Sequence, residues 1–251
     1  MSNLNNRQIE KYSRQIMIDK IGLEGQKKIC DASICIIGCG GLGTSAAQYL
    51  VMSGINKVLL VDNDKVSLSN LNRQTLFYEK DIGKSKVEVL SSKLNKINPS
   101  LKIEIKKKKI TRINIKKTLL NYKIVLDCTD NFKSRYLINE HCFNYKKILV
   151  SAALQNFDLQ AFAFSAWKKK NLPCYNCIFP NLKTNEENSC DSLGIIAPVA
   201  GLGGLIQAML VIKVILSSSE KIFKELILFD SFNNNFRKIK TTKNSSCKIC
   251  N

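Results

Sequence analysis

Three features of the sequence predict an α/β fold of the Rossmann type, a mostly parallel sheet with helices on both faces. Short apolar runs alternate with helical periods, a Gly38-x-Gly40-x-x-Gly43 turn follows the first run directly, and an acidic residue, Asp62, ends the second. The 251 residues, 45% of them hydrophobic, suffice for one continuous core, so a single domain over 1–251 is expected. Its nucleotide-binding half should cover about 30–150 and a second half about 151–251.

The elements follow in order. Residues 8–19 have the pattern of an amphipathic helical segment, and 33–37, Ser-Ile-Cys-Ile-Ile, form a β-rich run opening straight into the glycine turn. A helix over 42–52 is closed by Gly54, and 57–61 give a second strand, which completes a βαβ unit. After a loop carrying 67–74, residues 84–94 have helical periodicity, 101–105 alternate like a strand, and 123–126 make a buried strand ending in Asp127. Helix 131–145 and strand 148–151 continue the alternation, and repeated βα units with short links argue for parallel pairing. In the second half, 159–164 and 226–229 read as strands, 171–191 as a polar loop, and 199–216 as an apolar helix. These strands are expected to extend the same sheet.

Composition narrows the function classes. The stretch 195–216 is interrupted by Pro198, Gln207 and Lys213, which suits a buried helix better than a membrane span, and residues 1–10 lack a signal-peptide core. A cytoplasmic protein without membrane attachment is expected. Ten scattered cysteines then point to reduced thiols or metal ligands. The net charge of +19 is spread along the chain, and the lysine runs 106–109 and 168–170 are not interleaved with stacking aromatics, so they read as solvated and no nucleic-acid partner is expected.

The glycine turn lets backbone approach phosphates at a helix N-terminus, and Asp62, about 20 residues on, is placed to accept hydrogen bonds from ribose hydroxyls. A nicotinamide-dependent dehydrogenase carries the same fingerprint. The segment beyond the second strand decides between them: Asn70, Arg73 and Lys86 supply polar and cationic groups that a dinucleotide does not need and a triphosphate does. Asp127 and Asp130 follow a buried strand, where either can hold Mg²⁺, and Asp130 is equally suited to capping the next helix. Cys174-x-x-Cys177 and Cys247-x-x-Cys250 are two close thiolate pairs of the kind that assemble a closed, structural Zn²⁺ site; neither pair is expected to open a helix as a thioredoxin-like motif does. Cys190, alone in a polar loop, reads either as a thiol able to attack an activated acyl group or as an inert loop cysteine. His141 is the only histidine, which removes a Ser/His triad.

With Tyr12-Ser13-Arg14-Gln15, the glycine turn, Leu68-Ser69-Asn70-Leu71-Asn72-Arg73-Gln74, the segment Asp127 to Asn131 and the paired cysteines in this order, the chain resembles the ThiF/MoeB/HesA adenylyltransferases over nearly its whole length. The resemblance implies a homodimer that uses ATP and Mg²⁺ to make an acyl-adenylate on the Gly-Gly tail of a ubiquitin-like sulfur carrier bound by the second half. It implies that Gly41 lies against the nucleotide, that Asn70, Arg73 and Lys86 hold its phosphates, that Ser69 and Asn131 belong to the cofactor-binding set, that Asp130 assists Mg²⁺, and that Arg14 reaches the partner subunit's nucleotide. Gly43-Thr44, Leu76-Phe77 with Asp81-Ile82, and the stretch from Cys177 to Cys190 look most like the members that serve the thiazole carrier ThiS, for thiamine biosynthesis; a MoaD-type molybdopterin carrier is the alternative. In those members the cysteine at the Cys190 position links to the carrier. The sequence holds no rhodanese-like segment, so a separate sulfur donor is expected. Asn72 stands where glutamine is usual and Ala197 where glycine is, and neither is an expected phosphate ligand. A non-catalytic carrier-binding module would require these ligands to be missing.

Overall fold

The computed structural model describes residues 4–180, 194–217 and 219–251, and within it the sequence-derived βαβ unit is formed by β1 (Ser33–Ile37), α4 (Gly41–Met52) and β2 (Lys57–Val61). Three helices precede it: α1 (Asn6–Lys11), α2 (Ser13–Ile16) and α3 (Gly22–Asp31). The single helix expected over 8–19 is thus two, broken at Tyr12, whose ring is buried. The chain continues through α5 (Lys86–Ile97), β3 (Lys102–Lys106), α6 (Ile115–Leu119), β4 (Ile124–Asp127), α7 (Phe132–Asn144), β5 (Ile148–Gln155), β6 (Asp158–Phe164), α8 (Tyr175–Ile178), α9 (Ala197–Leu216), β7 (Glu225–Asp230) and β8 (Asn235–Lys240).

All eight strands share one sheet in the order β3-β2-β1-β4-β5-β6-β7-β8. The first five in that order pair in parallel, and β6, β7 and β8 are added antiparallel, so the second half extends the sheet of the first. β1, β2 and β4 are mostly apolar because both their faces are covered, whereas the edge strand β3, Lys-Ile-Glu-Ile-Lys, is largely exposed. Ile34 and Ile36 pack into a cluster with α4, α5 and α9, whereas Cys35 and Ile37 pack on the opposite face with Ile115, Leu119 and Ile138 from α6 and α7.

The long apolar helix α9 is a core element. Its Gly204 lies so close to α4 that a Cβ there would stand 2.6 Å from the Leu42 carbonyl oxygen, and Gly203 is equally tight against Leu154. Glycine allows these helices to approach at backbone distance. Gln207, the polar interruption noted in the sequence, is fully buried and donates to the Asp127 (3.0 Å) and Val150 (2.9 Å) carbonyls, tying α9 to the end of β4 and to β5.

Candidate nucleotide cleft and cysteine centre

Strand order reverses between β1 and β4, and open α/β sheets bind ligands outside the carboxyl ends of strands at such a point. Gly38 N–H donates to the Val61 carbonyl and Cys128 N–H to the Ile37 carbonyl, both at 2.9 Å, so the loops after β1 and β4 leave the sheet side by side. Gly38 has φ +93°, and a Cβ there would meet the Cys128 carbonyl oxygen at 2.6 Å. The two loops and the end of β2 enclose a cleft of about 480 Å³.

Gly40 caps the N-terminus of α4 without a side-chain hydrogen bond, leaving the first helical N–H groups directed toward the cleft. Asp62 follows β2, and its carboxylate accepts from Cys39 N–H (2.7 Å) and Asp64 N–H (2.8 Å). Burial holds its pKa above the usual carboxylate value against the pull of those two donors. Lys86, in the first turn of α5, is buried with its Nζ 3.0 Å from Asp64 Oδ2. Arg73 lies along its own turn, donating to the Ser69 carbonyl (2.9 Å) and to Asn72 Oδ1 (3.0 Å). The Asn70 carbonyl accepts from the Arg73 and Gln74 N–H groups and so shapes that turn.

The two carboxylates after β4 separate cleanly. Asp127 is fully buried and committed: it accepts from Thr129 N–H (3.0 Å), Thr129 Oγ1 (2.6 Å) and Ser151 Oγ (3.0 Å) and faces Arg135 at 3.9 Å. Asp130 lines the cleft, and Asn131 Nδ2 at 3.0 Å is its one hydrogen-bond partner among the described residues. The cap of α7 is Asn131, whose side chain accepts from Ser134 N–H at 2.9 Å, so neither the capping role of Asp130 nor a metal role for Asp127 is realised.

Beyond β8 the tail returns to the turn before α8. The sulfurs of Cys174, Cys177, Cys247 and Cys250 all lie within 4.8 Å of one another, with contacts of 3.9 Å (174 to 177), 3.6 Å (174 to 247) and 3.4 Å (177 to 250). The edges of a tetrahedral Zn–thiolate centre are about 3.8 Å for a Zn–S bond of about 2.3 Å. The cluster therefore fits Zn²⁺. The hydrogen bond from the Cys174 thiol draws Cys177 below the usual thiol range, which favours a thiolate there. Cys174 is the N-cap of the one-turn α8, which begins well after the end of β6 at Phe164, so neither pair opens a helix directly after a strand.

The sequence profile of the ThiF family matches residues 12–249. The chain belongs to the ThiF family. It is 37% identical over 248 residues to the sulfur carrier protein ThiS adenylyltransferase of Escherichia coli (strain K12), covering 98% of this chain and 97% of that protein. It is also 37% identical over 252 residues to the adenylyltransferase and sulfurtransferase MOCS3 of Aedes aegypti, where it spans 57% of the relative's length. The crystal structure of E. coli MccB superposes with a TM-score of 0.83 at 26% identity, over 98% of this chain and 73% of that one.

In this ThiF-family chain the cleft gathers Gly38, Gly40, Gly41, Asp62, Asn70, Arg73, Lys86, Asp130 and Asn131 from the residues expected at a nucleotide. Three do not line it. Gly43 packs beneath the turn, Ser69 faces Ser67 (Oγ to Oγ 3.1 Å), and Arg14 is exposed on α2. Cys190 lies outside the described residues. Sequence reasoning missed Gln74, Arg135, and the pair Lys108 and Lys109, which lines the cleft although read as merely solvated. Arg135 could have been found as a lone cation on the inward side of α7; buried there, it donates to the Ala152 carbonyl at 2.8 Å and to the Thr129 carbonyl, fixing the loop that carries Asp130. Six cationic residues line the cleft against three acidic ones, a balance that favours a polyanionic ligand.

Proposed function

We propose that this chain binds ATP in the cleft and adenylates the C-terminal glycine carboxylate of a ubiquitin-like sulfur carrier of the ThiS type, releasing pyrophosphate, as a cytoplasmic step of thiamine biosynthesis. The observation that carries the reading is the convergence of the glycine turn, Asp62, Arg73, Lys86 and Asp130 on one cleft in a full-length relative of a ThiS adenylyltransferase. A carboxylate oxygen of the carrier attacks the α-phosphorus, the bond to the bridging oxygen breaks, and its electron pair leaves with pyrophosphate. The carboxylate is already a nucleophile, so no histidine base is needed. Asp62 holds the ribose, α4's free N–H groups and Asn70 meet the phosphates, and Arg73 and Lys86 neutralise the charge that builds on the departing oxygens.

Mg²⁺ fits at Asp130, the cleft carboxylate with little protein competition, and when bound it supplies charge neutralisation at phosphate oxygens. Zn²⁺ fits the four thiolates, which leave no open position, so its role is to clip the tail to the α8 turn. Arg14 does not line its own cleft, and Tyr49, Met52 and Met209 leave large apolar side chains exposed on α4 and α9, so we assign a homodimer in which Arg14 serves the partner's nucleotide. Cys190 is the candidate for the covalent link to the carrier, with the sulfur provided by a separate donor. The test is intact-mass spectrometry of a ThiS-type carrier after incubation with the protein, ATP, Mg²⁺ and pyrophosphatase. The ThiS-type carrier should gain the mass of one adenylyl group, and a smaller fraction of a MoaD-type carrier should be converted; an unchanged mass for both carriers overturns the reading.

A further inference from the structure

We propose that Gln74 is a further nucleotide-binding residue, its carboxamide donating a hydrogen bond to a phosphate oxygen at the N-terminus of α4. This rests on the nucleotide reading of the cleft and deepens it. Gln74 is 3% exposed, yet its Oε1 is buried with no hydrogen-bond partner, and no other cleft-lining residue among the described ones has such an atom. A buried primary amide without partners is costly, and native proteins satisfy nearly all such groups. This amide is also held still: Gln74 N–H donates to the Asn70 carbonyl (3.0 Å), its carbonyl accepts from Phe77 N–H (3.1 Å), and Leu76 and Phe77 are both buried in the core. The side chain therefore cannot escape to solvent by a small backbone movement.

Its direction identifies the ligand. Gln74 Nε2 is the nearest heavy atom to the position a Cβ would take on Gly40, at 3.7 Å, so the amide looks across the space that this glycine leaves open at the head of α4. Gly40 is the N-cap there and offers no side chain to the helical N–H groups. A phosphate drawn to that helix end brings acceptor oxygens within reach of the amide. With Nε2 on the Gly40 side the amide donates there, so a phosphate oxygen can accept from it without adding another charge to a cleft already rich in cations, while Oε1, itself an acceptor, takes no part.

The test uses the full chain and the non-hydrolysable analogue α,β-methylene-ATP with Mg²⁺. Gln74→Met keeps length and shape while removing the amide. Without nucleotide it should melt at or above the wild-type temperature, because a buried unsatisfied group is gone, and it should bind the analogue about tenfold more weakly. Gln74→Glu, which replaces the donor with a carboxylate, should weaken binding further. A Gln74→Met protein with wild-type affinity overturns the proposal, and so does one whose weaker binding accompanies a lower melting temperature. Should Gln74→Met not fold, Gln74→Asn draws the amide back by one methylene, and unchanged affinity in that variant overturns the proposal equally. Wild-type protein that fails to bind the analogue would instead overturn the nucleotide reading itself, so the two failures are distinct.

Discussion

The glycines of the turn can be divided by experiment, because the structure gives Gly40 and Gly43 opposite tasks. A Cβ on Gly43 would stand 2.0 Å from the Gly38 carbonyl oxygen, well over 1 Å inside normal contact, and the obstacle is backbone held by the Gly38 N–H bond to Val61. Gly43→Ala gains about 1 kcal/mol of helix propensity but forces that overlap, for a net loss of about 3 kcal/mol. In a chain of this size the melting temperature should fall by about 6–12 °C. Gly40, by contrast, is in an extended conformation open to alanine, with the nearest atom 3.7 Å away. Gly40→Ala should hold its stability to within about 1 kcal/mol. Its methyl group would stand where phosphate meets the head of α4, and a clash of about 2 kcal/mol there lowers nucleotide affinity about thirtyfold. Scanning calorimetry of the free proteins and titration with α,β-methylene-ATP measure both effects. Gly40→Ala with wild-type affinity, or Gly43→Ala with wild-type stability, would refute the reasoning.

Other consequences follow from the same geometry. If Arg14 serves the partner's site, Arg14→Ala and Arg73→Ala are each inactive alone, and equal mixing with subunit exchange restores about a quarter of wild-type activity; no recovery places both residues in one subunit's site. Nucleotide binding needs Asp62 ionised, and burial raises its pKa, so affinity should fall on acidification at a higher pH than an ordinary carboxylate, near 3.9, would produce. Its effect on folding has the opposite sign: protonation is easier in the folded state, so any contribution to stability is present at low pH and lost as pH rises through the raised pKa. Asp62→Asn should abolish both dependences in a pH titration. One equivalent of Zn²⁺ per chain is expected by metal analysis, and Cys247→Ser should lower the melting temperature far more than it lowers turnover; unchanged stability rejects the structural zinc.

What the sequence reveals follows where side-chain contrast is strong. β1, β2 and β4 read clearly because two covered faces demand uninterrupted apolar runs, and the glycine turn is placed because only glycine fits its backbone approaches. α3 is missed because its buried side, Gly25, Gln26, Ile29 and Cys30, holds only one large apolar side chain. β8, Asn235–Lys240, has no buried residue at all, and its strand form depends on pairing with β7. At the site, cations announce themselves but burial does not. Arg73 and Lys86 were legible as charges, whereas Gln74 and Arg135 matter through where the fold buries them, and Lys108 and Lys109 through the turn of the chain after β3.

The central claim is carrier adenylation, and its most direct measurement is ATP–pyrophosphate exchange with the zinc-loaded protein, run in parallel with ThiS-type and MoaD-type carriers ending in Gly-Gly. Exchange should depend on carrier, run faster with the ThiS type, and vanish in Arg73→Ala. Exchange with neither carrier, by a protein that still binds ATP, would contradict the account.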